Sequence, residues 1–342
     1  MWAELAVVAI KLLVVAIGML TAVPVMVWVE RRGAAFIQDR LGPNRVGPMG
    51  LVQPLVDALK LLFKEDVTPD GVSRPLYFLA PMVAMFIALV TFIVIPFGGG
   101  KDLSLFGVSL GGLTVAGELQ AGVLYLLAMS SLGVYGIVLA GWSSNNKYSL
   151  LGGLRSSAQL ISYELAMALA VMGVLMTTGS LRLDDVVAHQ QAHVWNVIPQ
   201  LIGFVVFITA SFAETNRLPF DLAEAETELV AGYHVEYSSM KFAAFFMSEY
   251  INMVTAAALS VTLFFGGWSL PFVHFAGWPG FIASVIVFIT KVAFFLWLFV
   301  WVRWSLPRFR YDQLMRLGWK ILLPLAAANI VWVGGAMALK WL

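Results

Sequence analysis

The sequence contains no cysteine, which excludes disulfides, thiolate zinc sites and cysteine-ligated iron–sulfur clusters within this chain. It holds only 4 histidines. His189, His193 and His274 fall in loops on one side of the long apolar runs and His234 in a loop on the other, so no pair of axial haem ligands stands inside a run. His189 and His193 are four apart, which puts them on one face of a helix, but without a third ligand they do not make a metal site. No GxxxxGK[ST] phosphate loop occurs. Charged residues make up just 12% of the chain. Neither a redox centre nor a nucleotide-driven engine is therefore expected in this polypeptide.

What is present is apolar. Hydrophobic residues form 60% of the sequence, with 12 Trp and 24 Phe, and the mean hydropathy is +0.86. The apolar residues come in runs of about 20, the length that crosses a bilayer core as a helix. The expectation is an all-α integral membrane protein, a single polytopic domain over residues 1–342. About eight transmembrane helices are predicted, near 5–29, 78–97, 119–141, 156–178, 195–213, 240–264, 280–303 and 320–341. The first run is longer than the apolar core of a signal peptide, lacks a basic start and has no small-residue cleavage site, so it is read as a span. Alternate loops hold sixteen Lys and Arg against three in the others and the C-terminal end. That asymmetry predicts the basic loops in the cytoplasm and both termini outside.

The first basic loop is too apolar for a plain linker. It opens with Glu30, Arg31 and Arg32, passes through Gly42 to Pro48, and then sets Leu51, Leu55, Val56, Leu59, Leu62 and Phe63 around Asp57, Lys60 and Lys64. The spacing predicts an amphipathic helix of about 14 residues, too short to span and suited to the membrane interface. Its two readings are a surface anchor and the wall of an opening. Asp57 and Lys60, three residues apart beside the apolar face, favour the wall. Of the loops on the other side, residues 98–112 read as a glycine-rich connector, and Glu118 sits where a carboxylate reaches water.

The acids are concentrated in Ala213–Tyr250, which carries seven of the chain's 20: Glu214, Asp221, Glu224, Glu226, Glu228, Glu236 and Glu249, against only Arg217 and Lys241. Pro219 followed by Asp221, Glu224, Glu226 and Glu228 reads as a helix start with acids in its first turns. Glu224 and Glu228 are four apart and repel, however, which a helix built for stability alone avoids. Two further carboxylates lie inside predicted spans, Glu164 in SYE and Glu249 in SEY. Both are about 12–14 Å deep at 1.5 Å per residue, where they are predicted to meet in a protein-lined cavity able to carry a proton. Lys291, near the middle of the seventh run, is the next candidate member of such a line. Lys11 is close enough to a membrane face to snorkel.

Two function classes fit these features: a transporter using the acids itself, and a membrane subunit that couples chemistry on a bound partner to proton movement. No paired repeat with matching Gly or Pro breaks supports the transporter. Four long stretches then point to a family. ERRGAAFIQDRLGPNRVGPMGLVQPLVDALKLLFKE, GWSSNNKYSLLGGLRSSAQLISYELA, AETNRLPFDLAEAETELVAGYHVEYSSMKFAAFFMSEY and PRFRYDQLMRLGWKILLP closely resemble the quinone-tunnel membrane subunit family (the H-type subunits) of NADH:quinone oxidoreductase, respiratory complex I. The likeness runs from about Val27 to Pro324. Membrane subunits of energy-converting hydrogenases share parts of this pattern and are the alternative.

The resemblance implies a subunit of the proton-pumping enzyme that joins a peripheral electron-transfer arm to a membrane arm in a bacterial inner membrane. It implies peripheral-arm partners at the cytoplasmic face, neighbouring membrane subunits and lipids, with quinone as substrate and flavin and iron–sulfur clusters only in partner subunits. Carried over by motif position, Arg31, Arg40, Asp57, Lys60, Arg217 and Asp221 belong to the quinone tunnel and its surroundings. Glu30, Glu164, Glu214, Glu224, Glu226, Glu228, Glu249 and Lys291 belong to the proton path. One departure stands out: some members carry a further acid where this chain has Ser131.

Overall fold

The computed structural model describes residues 2–99, 104–105, 108–109, 114–117, 119–222, 226–271, 273 and 277–340. The predicted roles or positions of Lys101, Glu118, Glu224 and His274 lie outside these residues. In chain order the helices are α1 (Trp2–Ile37), α2 (Gln53–Phe63), α3 (Arg74–Thr91), α4 (Gly122–Ser143), α5 (Lys147–Thr178), α6 (Leu183–Ala192), α7 (Leu201–Glu214), α8 (Glu226–Leu229), α9 (Ser239–Phe264), α10 (Gly277–Ser305), α11 (Tyr311–Arg316) and α12 (Leu323–Ala338). A π-helical stretch, Leu317–Leu322, joins α11 to α12. The two-residue strands β1 (Ser104–Leu105) and β2 (Val108–Ser109) pair antiparallel between α3 and α4.

Seven helices among the described residues are long and apolar enough to cross a membrane, and the all-α membrane fold follows. One of the eight predicted spans, the fifth in order, differs from the rest. Its helix α7 has 14 residues, about 21 Å at 1.5 Å per residue, less than a bilayer core of about 30 Å. Residues 196–200 instead form turns, and polar groups there bond to the protein. Asn196 Nδ2 donates to Leu263 O at 2.9 Å and Gln200 Nε2 to Gly173 O at 3.2 Å. Irregular backbone at membrane depth persists where protein satisfies it in this way.

Contacts between distant segments define two ends. At the basic end, Ser73 N donates to Ser143 O at 3.1 Å and Phe309 N to Pro219 O at 3.1 Å. Lys241 bonds Asp66 at 2.9 Å and Thr68 at 2.8 Å, and Ser239 Oγ donates to Leu61 O at 3.0 Å. These contacts tie the end of α2 and the segment after it to the start of α9. At the opposite end, Val123 N donates to Leu181 O at 3.0 Å and Val197 N to Phe264 O at 3.1 Å. Helix α9 is the most enclosed: Ile251, Ala257, Ala258, Val261 and Phe264 are fully buried. The predicted amphipathic helix is α2, shorter than expected at 11 residues. Only its Pro54 is buried, and Leu55, Leu59, Leu62 and Phe63 are exposed.

Candidate functional site

Near the basic end, four elements converge on one buried cluster of charge. Glu30 on α1, Arg217 in the loop after α7, and Glu249 and Tyr250 on α9 are all less than a tenth exposed, and Arg303 comes from the last turn of α10. Glu30 pairs with Arg303, accepts the Tyr250 hydroxyl at 2.6 Å and lies 4.0 Å from Arg217. The other side of Arg217 faces Glu249 at 3.7 Å, and its guanidinium sits 4.3 Å from the centre of the Tyr250 ring. Glu249 also accepts the Tyr233 hydroxyl at 3.0 Å. Two acids and two arginines balance in charge, as buried ions must for their desolvation to be offset.

Tyr233 is positioned by close packing. A Cβ at Gly152 of α5 would stand 2.7 Å from Tyr233 N, so only glycine lets that loop lie against the helix. The preceding loop is pinned by Gln159, whose Nε2 donates to Ala213 O at 2.7 Å and Phe220 O at 2.9 Å. That pinning corrects the predicted helix start at Pro219. Residues 215–222 are non-helical, and the next helix, α8, begins at Glu226. Asp221, buried in this loop, bonds Arg308 at 3.0 Å. Burial pushes its carboxyl up to about 6, against the pull of Arg308.

Deeper in, a cavity of about 80 Å³ joins α3, α4, α5, α7 and α9. Its polar lining includes Ser130, Glu214, Asn216, Tyr233, Glu249 and Asn252. A space of this size, with these polar groups set in an otherwise apolar wall, accommodates several water molecules. Glu214, the last residue of α7, accepts the Ser130 hydroxyl. One residue along α4, Ser131 bonds Glu164, which lies within electrostatic reach of Glu214. Among the described residues neither Glu164 nor Glu214 has a cation at ion-pair distance.

The expected direct meeting of Glu164 and Glu249 is corrected by this arrangement. Glu164 turns to α4 and bonds Ser131, Glu249 turns to Tyr233 and Arg217, and it is Glu214 that shares the cavity wall with Glu249. Lys291 is also elsewhere. Its ammonium donates to Phe265 O at 2.8 Å, Gly267 O at 3.0 Å and Ser269 O at 2.6 Å, and lies 5.0 Å from the Trp195 ring centre. It caps the carbonyl end of α9 instead of joining the acids, because a helix C-terminus attracts a cation.

Of the first-loop candidates, Arg31 and Asp57 form an ion pair, and Gln53 also bonds Asp57 at 3.0 Å. The Arg40 side chain bonds Gln38 at 2.7 Å, and Lys60 is exposed. Glu228 lies at the surface, paired with Arg155 at 2.7 Å. Glu226 opens α8. His189 and His193 stack with ring centres 4.5 Å apart, and burial lowers the His189 pKa. Sequence reasoning missed Ser130, Ser131, Tyr233 and Tyr250 as partners of the acids, and Arg303 and Arg308 counted only as basic-loop charge. The adjacent serines inside the otherwise apolar third run were the available signal.

Comparison with known proteins adds a family. The NADH dehydrogenase family model matches residues 10–334. The chain is 52% identical over 332 residues to the H-type subunit of NADH-quinone oxidoreductase from Leptospira biflexa, covering 94% of this chain and 92% of that protein. It is 49% identical to an H-type NADH-quinone oxidoreductase subunit of Koribacter versatilis, with 97% of both chains covered. It is 48% identical to NADH-quinone oxidoreductase subunit 8 of Rhodothermus marinus, with 94% of both covered.

Proposed function

Since the chain belongs to the NADH dehydrogenase family, as a membrane subunit of NADH-quinone oxidoreductase, we propose that it forms part of the quinone tunnel and relays quinone reduction to proton movement through its buried carboxylates. The basic end faces the cytoplasm of a bacterial inner membrane, in keeping with the positive-inside asymmetry, and there it meets the peripheral arm. That arm carries the flavin and iron–sulfur clusters, and other membrane-arm subunits flank the helices. Quinone is the substrate; the tunnel wall includes Arg31, Asp57, Arg217 and Asp221, with Arg40 and Lys60 at its rim. The observation that carries the relay is the cavity on which Glu214 and Glu249 both open.

The chemistry follows from how each acid is compensated. A change of charge in the tunnel acts first on the Glu30–Arg217–Glu249–Arg303 cluster, whose members adjust position as a unit. Glu249 lines the water-sized cavity on its other side, so its displacement or protonation is felt at Glu214. From there Ser130 and Ser131, adjacent on α4, lead to Glu164. The acidic loop, Glu224, Glu226 and Glu228, supplies protons at the cytoplasmic surface. Lys291 holds the far end of α9 and stays outside the relay.

The test is Glu214→Gln in the complete complex. Oxidation of NADH by a soluble artificial acceptor stays at the wild-type rate, while proton translocation coupled to quinone reduction falls at least tenfold. Full pumping by the assembled variant would refute the relay. Arg217→Ala separates the tunnel from the path, because it impairs quinone reduction itself while leaving the artificial-acceptor reaction in place.

A further inference from the structure

The carboxylate cavity does not extend to the opposite end of the protein; a second, apolar cavity adjoins it. Three residues, Leu126, Met167 and Leu259, line both. Four helices agree on the direction between them. On α4 the lining moves from Ser130 and Gly133 to Val123 and Leu127, and on α5 from Leu160 to Val171. On α9 it moves from Glu249 and Asn252 to Leu263, and on α7 from Glu214 to Phe207. Each step leads away from the basic end. The second cavity is about 10 Å³, with no polar residue among its walls. A water molecule needs at least about 10–15 Å³ and two or more polar partners, and apolar cavities stay dry.

Beyond that point the backbone offers no foothold either. The Thr262 carbonyl accepts from Gln190 at 2.9 Å, that of Leu263 from Asn196 at 2.9 Å, and that of Phe265 from Lys291 at 2.8 Å. The Phe264 carbonyl accepts from Val197 N at 3.1 Å. Each backbone acceptor at the end of α9 is thus occupied by protein and has no need of water.

We propose that Leu126, Met167 and Leu259 form an insulating plug that keeps the carboxylate cavity from opening to the far side of the membrane. Protons that reach Glu214 are thereby retained for transfer along the protein and do not leak straight through this chain. Desolvating constrictions of this kind block ions by excluding water. The proposal deepens the relay reading above, and rests on it for the direction of proton flow; the dryness of the plug stands on its own.

The experiment places polar groups of matched size in the plug. Complete complex carrying Leu259→Asn or Met167→Gln is reconstituted in proteoliposomes, with Leu259→Met and Met167→Leu as dry controls. Collapse of an imposed pH gradient is followed without substrate, and quinone reduction is measured beside it. The expected result is collapse several-fold faster in the polar variants, at unchanged quinone reduction, and wild-type collapse in the controls. Wild-type collapse in both assembled polar variants would overturn the plug. Equal leakage in polar variants and dry controls would also overturn it, since packing and not polarity would then be at fault. Adding Glu214→Gln to Leu259→Asn distinguishes the two readings. Suppression of the leak assigns it to the carboxylate path, whereas a persistent leak beside normal pumping by Glu214→Gln alone removes the relay and leaves the plug.

Discussion

Two groups of acids stand near one cavity, lined by Glu249 of one and Glu214 of the other, and are treated differently by the protein. Glu30 and Glu249 lie among guanidinium groups, Arg217 and Arg303, with tyrosine hydroxyls completing their hydrogen bonds. Among the described residues, Glu214 and Glu164 bond Ser130 and Ser131 and meet no guanidinium. The first group is held in a charge-balanced lattice in which removing any one member leaves the charges unequal. The second group carries no such obligation, so a proton added or removed there leaves no stranded guanidinium. In the proposed relay, the difference separates a region that senses charge by shifting as a block from one suited to carrying protons singly.

The largest expected effect comes from breaking the balanced cluster. Glu30→Gln leaves Arg303 and Arg217 short of a counter-charge and destabilises the subunit by about 3–5 kcal/mol. A marked fall in the thermal midpoint of the purified complex checks it. Glu214→Gln, by contrast, leaves that midpoint close to wild type although it stops pumping. If both substitutions destabilise equally, the contrast between the two groups is wrong.

Asp221 offers a pH-resolved version. Its carboxyl is raised from 3.8 to about 6, mainly by burial, so the folded protein holds this proton more tightly than the unfolded chain. The cost of ionising it is absent below about pH 4 and complete above pH 6, amounting to about 3 kcal/mol at about 1.36 kcal/mol for each tenfold change in proton affinity. Asp221→Asn should therefore flatten the decline in stability between pH 4 and 6.5, read from thermal midpoints across that range. A parallel pH profile would show that the carboxyl titrates elsewhere.

Ser131→Ala removes the hydrogen bond that Ser131 makes to Glu164. Such a bond is worth about 0.5–1.5 kcal/mol, and pumping should slow about tenfold with assembly intact. The smallest effect belongs to the surface. Arg155→Ala breaks the partly exposed pair with Glu228 and should cost under about 1 kcal/mol, with little change in turnover at physiological salt.

Much of the fold could be read from the sequence because bilayer length leaves a strong signature: runs of apolar residues mark the long helices. The exception, α7, was unreadable because its approach is apolar in composition, yet Asn196 and Gln200 make a buried turn stable only through partners on distant helices. The acids were found for a similar reason, since charge in an apolar run is conspicuous. Their grouping was not, because Glu164 and Glu249 look alike by depth and by the aromatic beside each. Side-chain direction decides, and it depends on which helix stands opposite. Lys291 misled for the same reason: a lysine in mid-helix suggests a membrane charge path, while its reach to Phe265, Gly267 and Ser269 depends on where the chain turns after α9.

That lysine has a mechanical consequence. One ammonium commits all three of its N–H groups to carbonyls just past α9, and so rivets α10 to it at that point. Glu249 and Tyr250 sit toward the other extremity of the same helix. Because Lys241 and Ser239 bind Asp66, Thr68 and Leu61 at that extremity, the helix is a rod clamped at both tips, and a push at the charged cluster can only bow or twist it between the clamps.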